Sequence, residues 1–212
     1  MSVSSTPTSD ETIRVALAAA REGDLQPIGL VLEGFRARLY GMIALRMDSK
    51  VHGRMDPQDV LQEAFADVTK RLPEFLADSD RDFYLWVRFL AGQKLLELHR
   101  RNLGAARRDA RREIQNSAGV PYASSAAIAT AFFDRNQTPS QEAMRQEAAD
   151  RLRETLETMK DIDREVLVLR HFEHLTNKET AEVLGLTEPA ASLRYMRALQ
   201  RLKGLLGEPS SG

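Results

Sequence analysis

Residues 175–202 read LTNKETAEVLGLTEPAASLRYMRALQRL, and this stretch decides the fold. Thr176 stands three residues before Glu179. That is the spacing of a capping box, in which a hydroxyl and a carboxylate satisfy each other's backbone amides at a helix start. The helix so opened stops at Leu184-Gly185-Leu186, because glycine takes the left-handed conformation that ends a helix without steric cost. A second helix is predicted from Thr187 to about Leu206. Ala181 and Leu184 suit the crossing, and Ala191, Tyr195, Ala198, Leu199 and Leu202 give the second helix a buried stripe. Two capped helices around a glycine turn make a helix-turn-helix. Glu188, Ser192, Leu193, Arg194 and Arg197 fall outside the stripe and are candidate DNA-reading residues. Arginine pairs with guanine, serine bonds base or phosphate, and a leucine meets a thymine methyl. A plain helical hairpin inside a bundle has the same pattern; Arg194 would then pair with Glu188 or another nearby acid.

Upstream, Leu152, Leu156 and Met159 mark one helix and Ile162, Val166 and Leu169 another, so residues 141–206 are expected to hold four helical segments. Residues 113–140 break the periodicity. Gly119-Val120-Pro121, Ser124-Ser125 and the run from Asn136 to Ser140 are rich in turn formers, which predicts a linker with a transient helical turn around Ala126 to Phe133. Ile128, Phe132 and Phe133 are odd for a pure spacer and suggest a docking role.

Another helical block is predicted over residues 25–112. Asp56 caps and Pro57 opens a helix in which Val60, Leu61, Ala64, Phe65, Val68 and Leu72 recur at helical spacing, with Pro73 expected to end it. After the polar loop Leu76-Ala77-Asp78-Ser79-Asp80, Ser79 and Asp82 stand as cap and third-position partner of the next helix. Its stripe is Phe83, Trp86, Val87 and Leu90, and it continues through Leu98 into an arginine-rich run. Phe83, Trp86 and Phe89 read as core; Tyr84 and Arg88 are expected outside. Residues 1–24 form an N-terminal tail with a short helix, and residues 207–212 a C-terminal tail. No strand-like alternation of useful length occurs. The fold class is all-α, two helical domains joined by a flexible linker.

Composition narrows the function. The 212 residues are 42% hydrophobic and 29% charged, which suits a globular protein with a real core. The absence of cysteine excludes a disulfide framework or a thiolate metal site. Met1 to Asp10 carries no basic residue before an apolar run, so no secretory signal is expected, and no apolar stretch approaches the ~20 residues of a membrane span. A cytoplasmic protein is expected. The net charge of −1 argues against a generic nucleic-acid binder. Two local clusters argue otherwise: Lys94, Arg100, Arg101, Arg107, Arg108, Arg111 and Arg112 in one, Arg194, Arg197, Arg201 and Lys203 in the other. Phosphates sense potential within a Debye length of about 10 Å, so distribution outweighs the total. His171 and His174 flank Glu173 without a third ligand, and neither a nucleophile motif nor a phosphate-binding glycine loop is present. Neither an enzyme nor a metal or cofactor is expected.

Asp59-Val60-Leu61-Gln62-Glu63-Ala64-Phe65 resembles the Asp-x-x-Gln-Glu-x-Phe motif of the second domain of sigma factors. The run from Trp86 to Arg101 is similar to the adjoining helix, and Asp163 to Arg170 followed by Leu175 to Leu202 to the fourth domain. With no third domain between, the order resembles that of extracytoplasmic-function (ECF) sigma factors of the sigma-70 family, over roughly residues 25–112 and 141–206. The resemblance implies that Asp59, Gln62 and Glu63 face the clamp of core RNA polymerase. It implies that Gln93, Lys94, His99, Arg100 and Arg101 follow the phosphates of melted promoter DNA at the minus-ten element, with a base pocket from Leu76 to Arg81. The helix-turn-helix residues would read the minus-thirty-five element, and an anti-sigma factor is a further expected partner. Gln93 and Glu97 stand where Asn and Asp are common, and Ala190, Ala191 and Leu193 where Thr, Val and a polar residue are common. Those departures spare the fold and bear on promoter sequence. Two alternatives remain: an autonomous helix-turn-helix regulator, which leaves the Asp59–Phe65 motif unexplained, and a sigma mimic that sequesters an anti-sigma factor, which has no need of the arginine clusters.

Overall fold

The structure is a computed structural model and describes residues 9–47, 56–77, 81–102, 120–134 and 142–206. Every regular element among them is helical. In the first unit, α1 (Asp10–Arg21) is capped by Ser9, whose Oγ accepts the Thr12 amide at 3.2 Å, and it sets the buried Ala16 and Ala20 against α2 (Gln26–Arg46). The expected N-terminal tail is therefore part of the bundle from Ser9 onward. α3 (Pro57–Ala77) starts as predicted, with Asp56 Oδ1 accepting the Gln58 amide at 2.8 Å. It does not end at Pro73. The ring replaces one amide donor on an exposed side of the helix, where water can serve the carbonyl left over, and the buried Phe75 beyond it holds the last turn to the core.

α4 (Phe83–Asn102) is capped by Asp82, whose Oδ1 accepts the Leu85 amide at 2.8 Å. Asp82 is thus the cap rather than the third-position partner, and Ser79 lies outside the described residues. α4 meets both α2 and α3, so almost every side of its first half is covered. That is why Tyr84 and Arg88, expected outside, are buried, Arg88 to 1% exposure. Tyr84 meets Phe35 edge-on at 5.0 Å, and the Arg38 guanidinium lies 3.8 Å above the tyrosine ring. Phe75, Phe83 and Trp86 complete the aromatic core, with Phe75 and Trp86 centroids 4.7 Å apart.

The second unit comprises α5 (Ser125–Asp134), α6 (Glu142–Thr158), α7 (Asp161–Leu167), a π-helical turn (Val168–Phe172), α8 (Asn177–Leu184) and α9 (Glu188–Leu206). The stretch read as a linker carries α5. Ser124 Oγ accepts the Ala127 amide at 3.1 Å to start it, and Ile128 and Ala129 are buried as it lies along α6. Just before it, Val120 and Ala123 are buried, and the Ala123 amide reaches the buried Glu165 carboxylate at 3.5 Å. The docking role suggested for Ile128 is met inside this unit.

The corner between α6 and α7 is held by Arg164. Its Nη1 donates to the carbonyls of Leu156 at 3.1 Å and Met159 at 2.9 Å, and its Nη2 pairs with Asp161. After the π turn the chain passes through His174 at φ +55°, a left-handed residue that swings Leu175 into the core. α8 then opens on the predicted capping box: Thr176 Oγ1 accepts the Glu179 amide at 3.1 Å, and Glu179 accepts the Thr176 amide at 2.6 Å. Gly185 ends it at φ +64°. Ala181 and Leu184 of α8 and Ala191 and Ala198 of α9 are buried, and α9 packs against α6, α7 and α8. Thr176→Ala removes the hydroxyl half of the box and is expected to lower unfolding free energy by about 1 kcal/mol, read as a drop in melting temperature.

Candidate nucleic-acid interface

α9 offers its outer face to solvent. Glu188, Leu193, Met196, Arg197, Gln200 and Arg201 are exposed, while Ser192 and Arg194 are half-buried. Leu193 is 51% exposed, a large apolar side chain left outside the stripe as the sequence suggests. Beside this face lies an open cavity of about 690 Å³, lined among others by Lys160 and Asp163 from the α6–α7 corner and by Leu193, Arg194, Arg197 and Arg201 from α9. Four cations and one carboxylate make its rim electropositive. Arg194 pairs with neither Glu188 nor a neighbour on its own helix: its Nη1 donates to Asp163 Oδ1 at 2.7 Å. Sequence reasoning did not single out Lys160 or Asp163 for this face. They lie some thirty residues or more from α9's arginines in the chain, and no local periodicity links them.

In the first unit, Asp59, Gln62 and Glu63 are exposed on the opening turns of α3, at the i, i+3, i+4 spacing that sets them on one side of the helix. Among the five cationic-helix candidates, Gln93, Arg100 and Arg101 are exposed on α4. Arg101 is ion-paired to Glu97. His99 is 4% exposed, inside the bundle, which withdraws it from phosphate contact. Lys94 is withdrawn for a different reason. The side chain is 11% exposed, and its Nζ lies 2.8 Å from Asp67, 2.9 Å from Glu97 and 3.8 Å from Glu63, so three carboxylates from two helices already surround it. Asp67 was invisible to sequence reasoning as its partner because the pairing crosses from α3 to α4. Half of the expected base pocket, residues 78–80, lies outside the described residues.

This cluster has a pH signature. The hydrogen bond to Asp67 raises the Lys94 pKa above 10.5, partly opposed by burial. The hydrogen bond from Lys94 lowers the Glu97 pKa below 4.5. A lowered carboxylate stabilises the fold fully above its ordinary value, and that contribution is lost as pH falls through the lowered one. A raised lysine contributes fully below its ordinary value and loses it as pH rises through the raised one. Lys94→Ala leaves Asp67 without this cation and is expected to cost about 1–3 kcal/mol of stability at neutral pH. Thermal melts across the acid range should also show a shallower pH dependence than in the unsubstituted protein.

No helix among the described residues is long and apolar enough to cross a membrane, and no group of three or more His, Asp or Glu side chains among them is placed to hold a metal ion. Residues 149–202, which span most of α6 through α9, match the family "Sigma-70, region 4". The ECF RNA polymerase sigma factor ShbA of Streptomyces griseus is 30% identical over 148 residues, covering 70% of this chain and 70% of ShbA. The ECF RNA polymerase sigma factor SigD of Mycobacterium tuberculosis is 28% identical over 193 residues, covering 91% of this chain and 83% of SigD. The fold is similar to that of CnrH in the structure of CnrH in complex with the cytosolic domain of CnrY. There the TM-score is 0.53 at 22% identity, over 92% of this chain and 97% of CnrH.

Proposed function

We propose, from the premise that this chain belongs to the ECF RNA polymerase sigma factors, that its two units divide the work of promoter-specific transcription initiation as follows. The α3 face of Asp59, Gln62 and Glu63 docks on the clamp of core polymerase. Gln93, Arg100 and Arg101 on α4 follow the melted strand at the minus-ten element, where an extended single strand is held by cationic side chains and received bases. Lys94 and His99 support that surface from within rather than touching phosphate. In the second unit, α9 enters the major groove of the minus-thirty-five element with Glu188, Ser192, Leu193, Arg194 and Arg197 toward base edges and backbone.

The observation that carries the reading is the electropositive concavity at α9, set beside a helix-turn-helix whose cap, turn and crossing are all formed. The chain supplies no catalysis; bond making stays with the polymerase. It works in the cytoplasm, where polymerase and promoter meet. An anti-sigma factor is the regulator that membership of this family implies.

Run-off transcription with the source organism's core polymerase and a fragmented genomic library tests the assignment. Discrete start sites that require this chain support it. Tight, dimeric binding to duplex operators without polymerase would favour an autonomous regulator instead, and absence of any DNA effect a mimic.

A further inference from the structure

We propose that Asp163 is a positioning residue for promoter reading, which holds the Arg194 guanidinium in one orientation so that α9 distinguishes bases; this rests on the function proposed above. The pair joins α7 to α9 across thirty-one residues of chain, with Arg194 Nη1 2.7 Å from Asp163 Oδ1. Both side chains are partly shielded, Arg194 34% and Asp163 21% exposed, and both line the same concavity. Asp163 stands on a rigid mount. Its amide donates to the Lys160 carbonyl at 2.9 Å, and Arg164, next in the chain, bonds the carbonyls of Leu156 and Met159 and so fixes the corner.

The surrounding charge makes the role specific. The other charged groups lining the concavity, Lys160, Arg197 and Arg201, are cations. A carboxylate among them repels a polyanion and lowers affinity for DNA of any sequence. What it provides in return is orientation. A guanine pair needs two parallel N–H donors in a fixed plane, and a long arginine side chain left to itself samples many rotamers. With Nη1 held by Asp163, Nε and Nη2 remain as the side-on donor pair for a base edge. The effect is therefore on selectivity, in the direction opposite to its effect on affinity.

The experiment uses the full chain in holoenzyme with core polymerase. Dissociation constants are measured on a promoter fragment recovered by run-off transcription and on a scrambled duplex of equal length and composition. Asp163→Asn, which keeps shape and removes charge, is expected to tighten scrambled-duplex binding about threefold. It should lower the promoter-to-scrambled ratio about tenfold. In an Arg194→Ala background the same substitution should leave the ratio unchanged, since nothing remains to be oriented. Equal tightening on both duplexes would mean that Asp163 is only a counter-charge, and overturns the inference. Should Asp163→Asn reduce the melting temperature, Arg194→Lys decides: it keeps the charge and the ion pair but has no planar fork. It is expected to lose selectivity at unchanged scrambled affinity, and retained selectivity overturns the inference. A ratio near one for the unsubstituted holoenzyme overturns the promoter-reading assignment and this inference together. A high ratio that survives Asp163→Asn in a fully folded protein overturns the inference alone.

Discussion

Replacing Arg194 and Arg197 together by alanine is expected to reduce promoter affinity of the holoenzyme about a hundredfold while leaving core polymerase binding intact. Each well-made arginine contact to a base edge discriminates by about 1–3 kcal/mol, and about 1.4 kcal/mol is tenfold in affinity. Arg197 is exposed on α9. Arg194 is tied to Asp163, so its loss also strands a half-buried carboxylate beside incoming DNA. Fold damage should be small, because neither side chain belongs to the buried stripe of Ala191 and Ala198. Binding measured over a range of salt separates the two contacts. Each phosphate contact removed lowers the log–log slope by about 0.9. A fall near that value assigns one arginine to the backbone and the other to a base, while about twice that assigns both to phosphate. Weakened core binding in this variant would show that α9 serves a different surface from the one proposed.

The reverse dissociation is expected for Asp59→Ala combined with Glu63→Ala. Core association should weaken by at least about tenfold, since truncating a charged group in a protein interface commonly costs about 2–5 kcal/mol. The DNA surface of the second unit should be unaffected. Glu63 is one of three carboxylates around Lys94, at 3.8 Å, and the nearer Asp67 and Glu97 remain when it is removed. The α3–α4 contact therefore survives, and a loss of core affinity reports docking rather than unfolding. Competition for core polymerase against a labelled copy of the unsubstituted chain measures the effect, with melting temperature as the control. Unchanged competition would remove α3's opening turns from the polymerase interface.

Much of this architecture was legible from short-range chemistry. Asp56 before Pro57, Thr176 with Glu179, and Gly185 after Leu184 each act within one turn of backbone, so residue type and spacing suffice to place them. The buried stripe of α3 was legible for the same reason. Errors arose where a third element intervened. Pro73 is carried inside α3 because Phe75 beyond it is buried, and Tyr84 and Arg88 are inside because α4 is covered by both α2 and α3. Periodicity assumes one wet face, and α4's first half has almost none. For α5 the sequence predicts only a transient helical turn within a linker, because its ten residues are flanked by turn formers and show no stripe of their own. α6 supplies the surface that makes it a helix worth forming.

Residue type and spacing alone placed the starts of α3 and α8, the glycine stop of α8 and the helix-turn-helix, since these depend on hydrogen bonds and hydrophobic spacing over a few residues. The tertiary structure alone decided which charges are available. It enclosed Lys94 in carboxylates, buried His99 and joined Arg194 to Asp163. Charge is a property of the residue, but its partners are set by whichever helices come to lie beside it, and those distances do not exist until the chain has folded.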